Sequence, residues 1–193
     1  PDRYLSHGRA HSHHRHHLPV LRRGLRCVRE RRRRQRGPED GPADPAVLRQ
    51  YAVKMLARRD HGRAELRVKM ARKFGDSEAL DAALDWCQEH DFLNDRRFAG
   101  FFVRSRIERG QGPLRIRSEL QQRGLPEALV KEALEQAECD WFALAREPHA
   151  RRFRRPPADR KEKARQLRFL QSRGFDAEQS FNALDLAGEE DLD

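Results

Sequence analysis

The sequence predicts an all-α fold, and three observations carry that prediction. Apolar residues recur at three- and four-residue spacing across residues 45–187, the period that lines one face of a helix. No stretch alternates apolar and polar residues between turn signals, as a half-buried strand would. The third observation is internal repetition. ARKFGDSEALDAAL (71–84), QQRGLPEALVKEAL (121–134) and QSRGFDAEQSFNAL (171–184) align without gaps at a spacing of 50 residues. A period of that length signals stacked helical units.

Residues 1–44 have no helical or strand period. HSHHRHH (11–17) and RERRRRQRG (29–37) lead into GPEDGPADP (37–45), a turn-rich linker. The segment reads as a disordered Arg/His-rich arm. The chain starts at Pro1, so the arm is read either as native or as the product of a mis-assigned start.

From Pro45 the helices follow in order. Leu48, Tyr51, Ala52, Met55 and Leu56 form one apolar face and predict a helix over 45–59. Further helices are expected over 62–74 and 77–90, the last carrying Leu80, Ala83, Leu84 and Cys87 on one face. These close a first three-helix unit, 45–91. The second unit, 92–138, has helices over 95–109, 113–123 and 126–138, with Phe98, Phe101 and Phe102 on the first and Val130, Ala133 and Leu134 on the third. Asn94 with Asp95 reads as an N-cap. The third unit, 139–193, has helices over 140–152, 159–173 and 176–187. Across the units Met70, Leu120 and Leu170 correspond, as do Lys73, Arg123 and Arg173, and Gly124 with Gly174.

GQGPLRIRSELQQRGL (110–125) shows how one helix is punctuated. Gly110 and Gly112 end the helix before it and let the chain turn. Pro113 suits the first helical position, where its missing N–H costs nothing. Gly124 suits the left-handed position past the C-terminus. A helix this short depends on packing and on fixed ends.

The formal net charge is +10. Residues 1–44 carry twelve Arg against five acids, so +7, while residues 45–193 carry 29 basic and 26 acidic groups, so +3. The basicity is mostly a property of the arm and does not by itself assign nucleic-acid binding to the folded part. Within that part the charge is segregated. Residues 46–74, 94–123 and 140–175 carry +7, +5 and +7, whereas 75–91, 124–139 and 176–193 carry −6, −3 and −7. First and second helices are basic and third helices acidic. Two readings follow: the helices neutralise one another in a bundle, or the repeats present a long basic surface.

The chemistry of an enzyme is not visible. No phosphate-binding GxxxxGK[ST] loop and no HExxH motif occur. His61, His90 and His149 have no ligand-spaced partners, so no metal or other cofactor is expected. Cys27, Cys87 and Cys139 are far apart and unpaired by spacing, which fits a reducing cytoplasm. No apolar run reaches the ~20 residues of a membrane span, and no membrane partner is expected. Trp86, Trp141, Phe98, Phe101 and Phe102 could stack on bases, but their helical spacing fits core packing. No feature calls for an oligomer, and a monomer is expected.

FLNDRRFAGFFVRSRIERGQGPLRIRSELQQRGL (92–125), RQLRFLQSRGF (165–175) and YAVKMLARRDHGRAELRVKMARKFG (51–75) resemble the bacterial RecX family, over about residues 45–190. The first unit departs from the pattern by ending in Lys-Phe-Gly, and the arm is not a family requirement. The resemblance implies tandem three-helix repeats in an elongated, curved molecule. It implies a regulator of the RecA recombinase rather than an enzyme, binding the groove of the RecA–single-stranded-DNA filament. Such regulators mainly inhibit strand exchange, ATP hydrolysis and coprotease activity in recombination, repair and the SOS response. Charge placement together with this likeness nominates Arg104, Arg106, Arg109, Arg115, Arg117 and Arg123 in the second unit, Arg165, Arg168 and Arg173 in the third, and Lys69, Arg72 and Lys73 in the first. Phe98, Gly110, Gly112, Pro113, Gly124 and Gly174 are nominated as structural. Direct contact with single-stranded DNA is expected to be weak. The alternatives are a general DNA-binding protein that competes for single strands, and a protein–protein scaffold that uses the acidic helices.

Overall fold

The computed structural model describes residues 43–189. Expectations for the arm and Cys27 lie outside the described residues. Nine α-helices and no strands are present among the described residues: α1 (Pro45–Leu56), α2 (Arg63–Phe74), α3 (Glu78–Glu89), α4 (Asp95–Glu108), α5 (Pro113–Gln122), α6 (Glu127–Gln136), α7 (Trp141–Arg152), α8 (Arg160–Ser172) and α9 (Ala177–Glu189). The spans agree with the periodicity to within a few residues. The largest difference is at the end of α1, which stops at Leu56, before the turn that leads to Gly62.

The first helix of each unit begins in the same way. Asp44, Asn94 and Asp140 stand at the N-caps of α1, α4 and α7, and each side chain accepts a backbone N–H from the first turn. That bond satisfies a donor that has no partner inside the helix. Asn94 bonds the N–H of Arg97 at 3.0 Å, as its position predicts. These caps are 50 and 46 residues apart, because α5 and α6 have 10 residues each where α2 and α3 have 12.

Three apolar clusters follow. Leu48, Leu66, Met70, Leu80, Leu84 and Cys87 are fully buried between α1, α2 and α3. Phe98, Val103, Ile116, Leu120 and Val130 form the second cluster. Leu144, Ala145, Leu170, Phe175 and Leu184 belong to the third. Met70, Leu120 and Leu170, which align in sequence, are each completely buried. Trp141 and Ile107 pack against both the second and third clusters and link them. Trp86 packs on the first. Phe101 differs: it is 53% exposed, with the Arg104 guanidinium 4.8 Å from its ring centre.

The lone histidines divide in two. His61 and His149 are buried, and His149 Nε2 bonds Gln166 Oε1 at 2.7 Å. His90 is exposed and stacks on Trp86 at 4.2 Å.

Candidate basic interface

The second helices α2, α5 and α8 carry most of the nominated cations, and the joints between units decide which of these face solvent. Each joint is made where the start of one second helix meets the turn after the next. At the first joint, Gly62 and Ala64 before and within α2 pack against Gly124 and Leu125. At the second, Gly112 and Arg115 pack against Gly174 and Phe175. The contact there is backbone on backbone. Gly112 N–H donates to the Arg173 carbonyl at 2.8 Å, and Leu114 N–H donates to the Gly174 carbonyl at 3.0 Å. Two N–H groups at the start of α5 therefore find acceptors in the next unit.

The glycines serve this approach. A Cβ on Gly112 would overlap the backbone of Gly174 and Phe175, although Gly112 itself has an ordinary extended conformation. Gly174 has φ +94, and a Cβ there would lie 2.6 Å from the Arg115 nitrogen. Pro113 occupies the first position of α5, as its sequence context predicts. Gly110 and Gly124 have φ +68 and +81.

Several nominated cations are engaged within the chain. At the first joint Glu65 accepts from Arg59 at 2.6 Å, Lys69 at 3.1 Å and Arg123 at 3.2 Å. Burial works to raise the Glu65 pKa, but the hydrogen bonds from Arg59 and Lys69 outweigh it and hold the carboxyl at about 2. Arg106 is only 16% exposed, bonds Glu119 at 2.8 Å and lies over the Phe102 ring at 4.2 Å. Arg115 shares Glu119 at 3.0 Å and also reaches the Ser172 carbonyl. Arg173 points at the Arg109 carbonyl at 3.4 Å and lies over Phe169 at 5.0 Å. Lys73 lies over the Tyr51 ring at 4.2 Å. Arg165 pairs with Glu162 at 3.4 Å, and Arg117 with Glu127 at 3.8 Å, both in exposed settings.

The remaining nominated cations are Arg72, Arg104, Arg109 and Arg168. All four are exposed, and none has a carboxylate partner among the described residues. Lys69, Arg72 and Arg123 line an open cleft of about 440 Å³ at the first joint, beside Val68, which is 49% exposed. Not all basic residues of the second helices face outward. Arg63 and Arg67 of α2 are tied to Asp81, Asp85 and Asp76 on and before α3. Arg96 of α4 pairs with Glu132 of α6 at 3.1 Å. The acidic third helices thus neutralise part of the basic helices they pack on. Arg151, Arg152, Arg154 and Arg155 around the end of α7 were not nominated from sequence. They lie outside the gap-free aligned stretches of the repeat, and only the structure brings them beside Arg109 and Arg173 or around a neighbouring pocket.

The arrangement contains no group of three or more His, Cys, Asp or Glu suited to a metal among the described residues. The buried Cys87 thiol is raised by burial, which suits a core side chain. No described helix is long and apolar enough to cross a membrane.

Tandem three-helix units joined through their second helices define a helical-repeat protein. Profiles of the first, second and third three-helix domains of RecX match residues 49–87, 94–134 and 138–184. The regulatory protein RecX of Halorhodospira halophila is 49% identical over 154 residues, covering 79% of this chain and 95% of that protein. The regulatory protein RecX of Chromohalobacter salexigens is 43% identical over 139 residues, covering 72% and 91%. The crystal structure of RecX from Lactobacillus salivarius shares the fold with a TM-score of 0.64 at 19% identity, covering 77% of this chain and 97% of that one. The chain belongs to the RecX family.

Proposed function

We propose that this protein regulates the RecA recombinase, mainly as an inhibitor, by binding the RecA–single-stranded-DNA filament. Its units 45–91, 92–138 and 139–193 each supply a weak basic contact. Family membership supports the regulatory role. The observation that carries the contact surface is the exposed set Arg72, Arg104, Arg109 and Arg168, which has no carboxylate partner among the described residues. Arg117 and Arg165 add exposed cations held only by weak surface pairs. Several modest contacts on one rigid chain multiply into useful affinity when their spacing suits a repetitive partner. Strand exchange, ATP hydrolysis and coprotease activity would fall together, because each needs the extended filament.

The test is RecA's single-strand-dependent ATPase, titrated with the full chain, beside a naked single-strand binding assay at the same salt. Substoichiometric inhibition with weak naked-DNA binding is expected. Inhibition that appears only as the DNA itself saturates would replace this reading with plain competition for single strands.

A further inference from the structure

The two joints of this protein are built on matching positions, yet they treat their arginines differently. At the first joint, Arg59 and Arg123 converge on Glu65, and Arg106 is held by Glu119. At the second joint, the positions 50 residues on from Arg59 and Arg123 are Arg109 and Arg173. The position matching Arg106, counted from the helix caps Asn94 and Asp140, is Arg152. All three cations are retained. Both carboxylates are replaced: Glu65 is matched by Arg115 and Glu119 by Phe169.

Arg109, Arg152 and Arg173, joined by Arg151, line an open cleft of about 300 Å³ with Pro148 and Phe169. No acid lines it. Arg173 Nε is shielded from solvent and has no hydrogen-bond partner. Arg151 lies beside Gly110, its Nη2 3.7 Å from where a Cβ would stand. The helices α4, α7 and α8 all end at this cleft. Their termini supply roughly half a negative charge each, too little to offset four guanidinium groups. The cleft retains a positive surplus and a set of planar donors suited to a tetrahedral oxyanion.

We infer that this cleft is a phosphate-group site. It takes from outside the anion that Glu65 and Glu119 supply internally to Arg59, Arg123 and Arg106, and it thereby ties the third unit to the second. The inference rests on the arginines alone and stands apart from RecA.

The test is thermal unfolding of the full chain in inorganic phosphate against sodium chloride of matched ionic strength. Phosphate is expected to raise the melting temperature with saturation. Arg152→Gln and Arg109→Gln, both exposed positions, should weaken that apparent affinity by about tenfold each, the scale of one charge-assisted hydrogen bond. Phe169→Glu restores the carboxylate that Glu119 supplies at the matching position, and should remove the phosphate response. Arg117→Gln, outside the cleft, should leave it intact. Equal stabilisation by chloride, or a phosphate response unchanged in both glutamine variants, overturns the site. A single-stranded oligonucleotide titration then identifies the source. Parallel loss of oligonucleotide affinity in Arg152→Gln makes it a backbone phosphodiester, and unchanged oligonucleotide affinity makes it a free phosphate or nucleotide.

Discussion

Glu65 is the residue on which the first joint turns. Its carboxylate meets Arg59, Lys69 and Arg123, and lies 3.3 Å from His61 Nδ1. The folded pKa of about 2 lies below the usual 4.5. The unfolded chain therefore binds the proton more readily, and this interaction is fully present above about 4.5 and lost as the pH falls toward 2. His61 acts over a higher range. Burial, then Arg59 and Lys69, lower its pKa below 6.5, so the fold keeps it neutral and loses stability as acid charges it. Glu65→Gln leaves three cations without their acceptor and should cost about 1–3 kcal/mol at neutral pH. Urea unfolding measures that loss. The variant should also flatten the stability profile below pH 4.5, a change that mere loss of packing would not produce.

At the scale of the helix, glycine serves two different purposes, and they predict different local effects. Gly112 is needed for space, because the turn of the third unit lies against it. Gly112→Ala forces overlap on that backbone and should destabilise by about 1–3 kcal/mol, with the link between the second and third units failing first. Gly75 has φ +83 and no neighbour near a Cβ. Gly75→Ala meets only a backbone cost of about 1–3 kcal/mol, because φ +83 with ψ 161 is a region essentially reserved for glycine. Guanidinium unfolding of both variants, with hydrogen exchange across Gly112–Leu114 and Phe175, separates the two mechanisms. Equal local protection in both would mean that Gly112 is only a turn residue. The glycine at 112 was legible as punctuation, since a Gly-x-Gly-Pro stretch between two amphipathic runs marks a helix boundary. Its packing role was not, because the partner lies in another unit and is chosen by the joint rather than by local sequence.

Across the whole molecule the repeat made the fold legible, while the charges were legible only as a sum. Periodicity and the 50-residue spacing locate all nine described helices, and the aligned Met70, Leu120 and Leu170 do become the cores. Charge segregation was equally plain in the sequence. It did not reveal which arginines meet carboxylates, because that depends on side chains from neighbouring units. Arg106 and Arg104 illustrate the limit: two residues apart on one helix, one is shielded beside Glu119 and the other lies exposed over Phe101. Their substitutions should therefore diverge. Arg106→Gln leaves the half-buried Glu119, whose carboxyl is held low by Arg106 and Arg115 against the effect of burial, with the exposed Arg115 alone, and should cost about 1–3 kcal/mol of stability. Arg104→Glu combined with Arg168→Glu removes exposed cations that meet no carboxylate among the described residues, Arg104 lying over the exposed Phe101 ring, so the melting temperature should stay nearly unchanged. If the basic surface engages the RecA filament, that pair should weaken inhibition of the RecA ATPase by about tenfold or more and reduce its sensitivity to salt. Full inhibition by a correctly folded Arg104→Glu, Arg168→Glu protein would move the contact off these arginines and leave the acidic third helices as the surface to test.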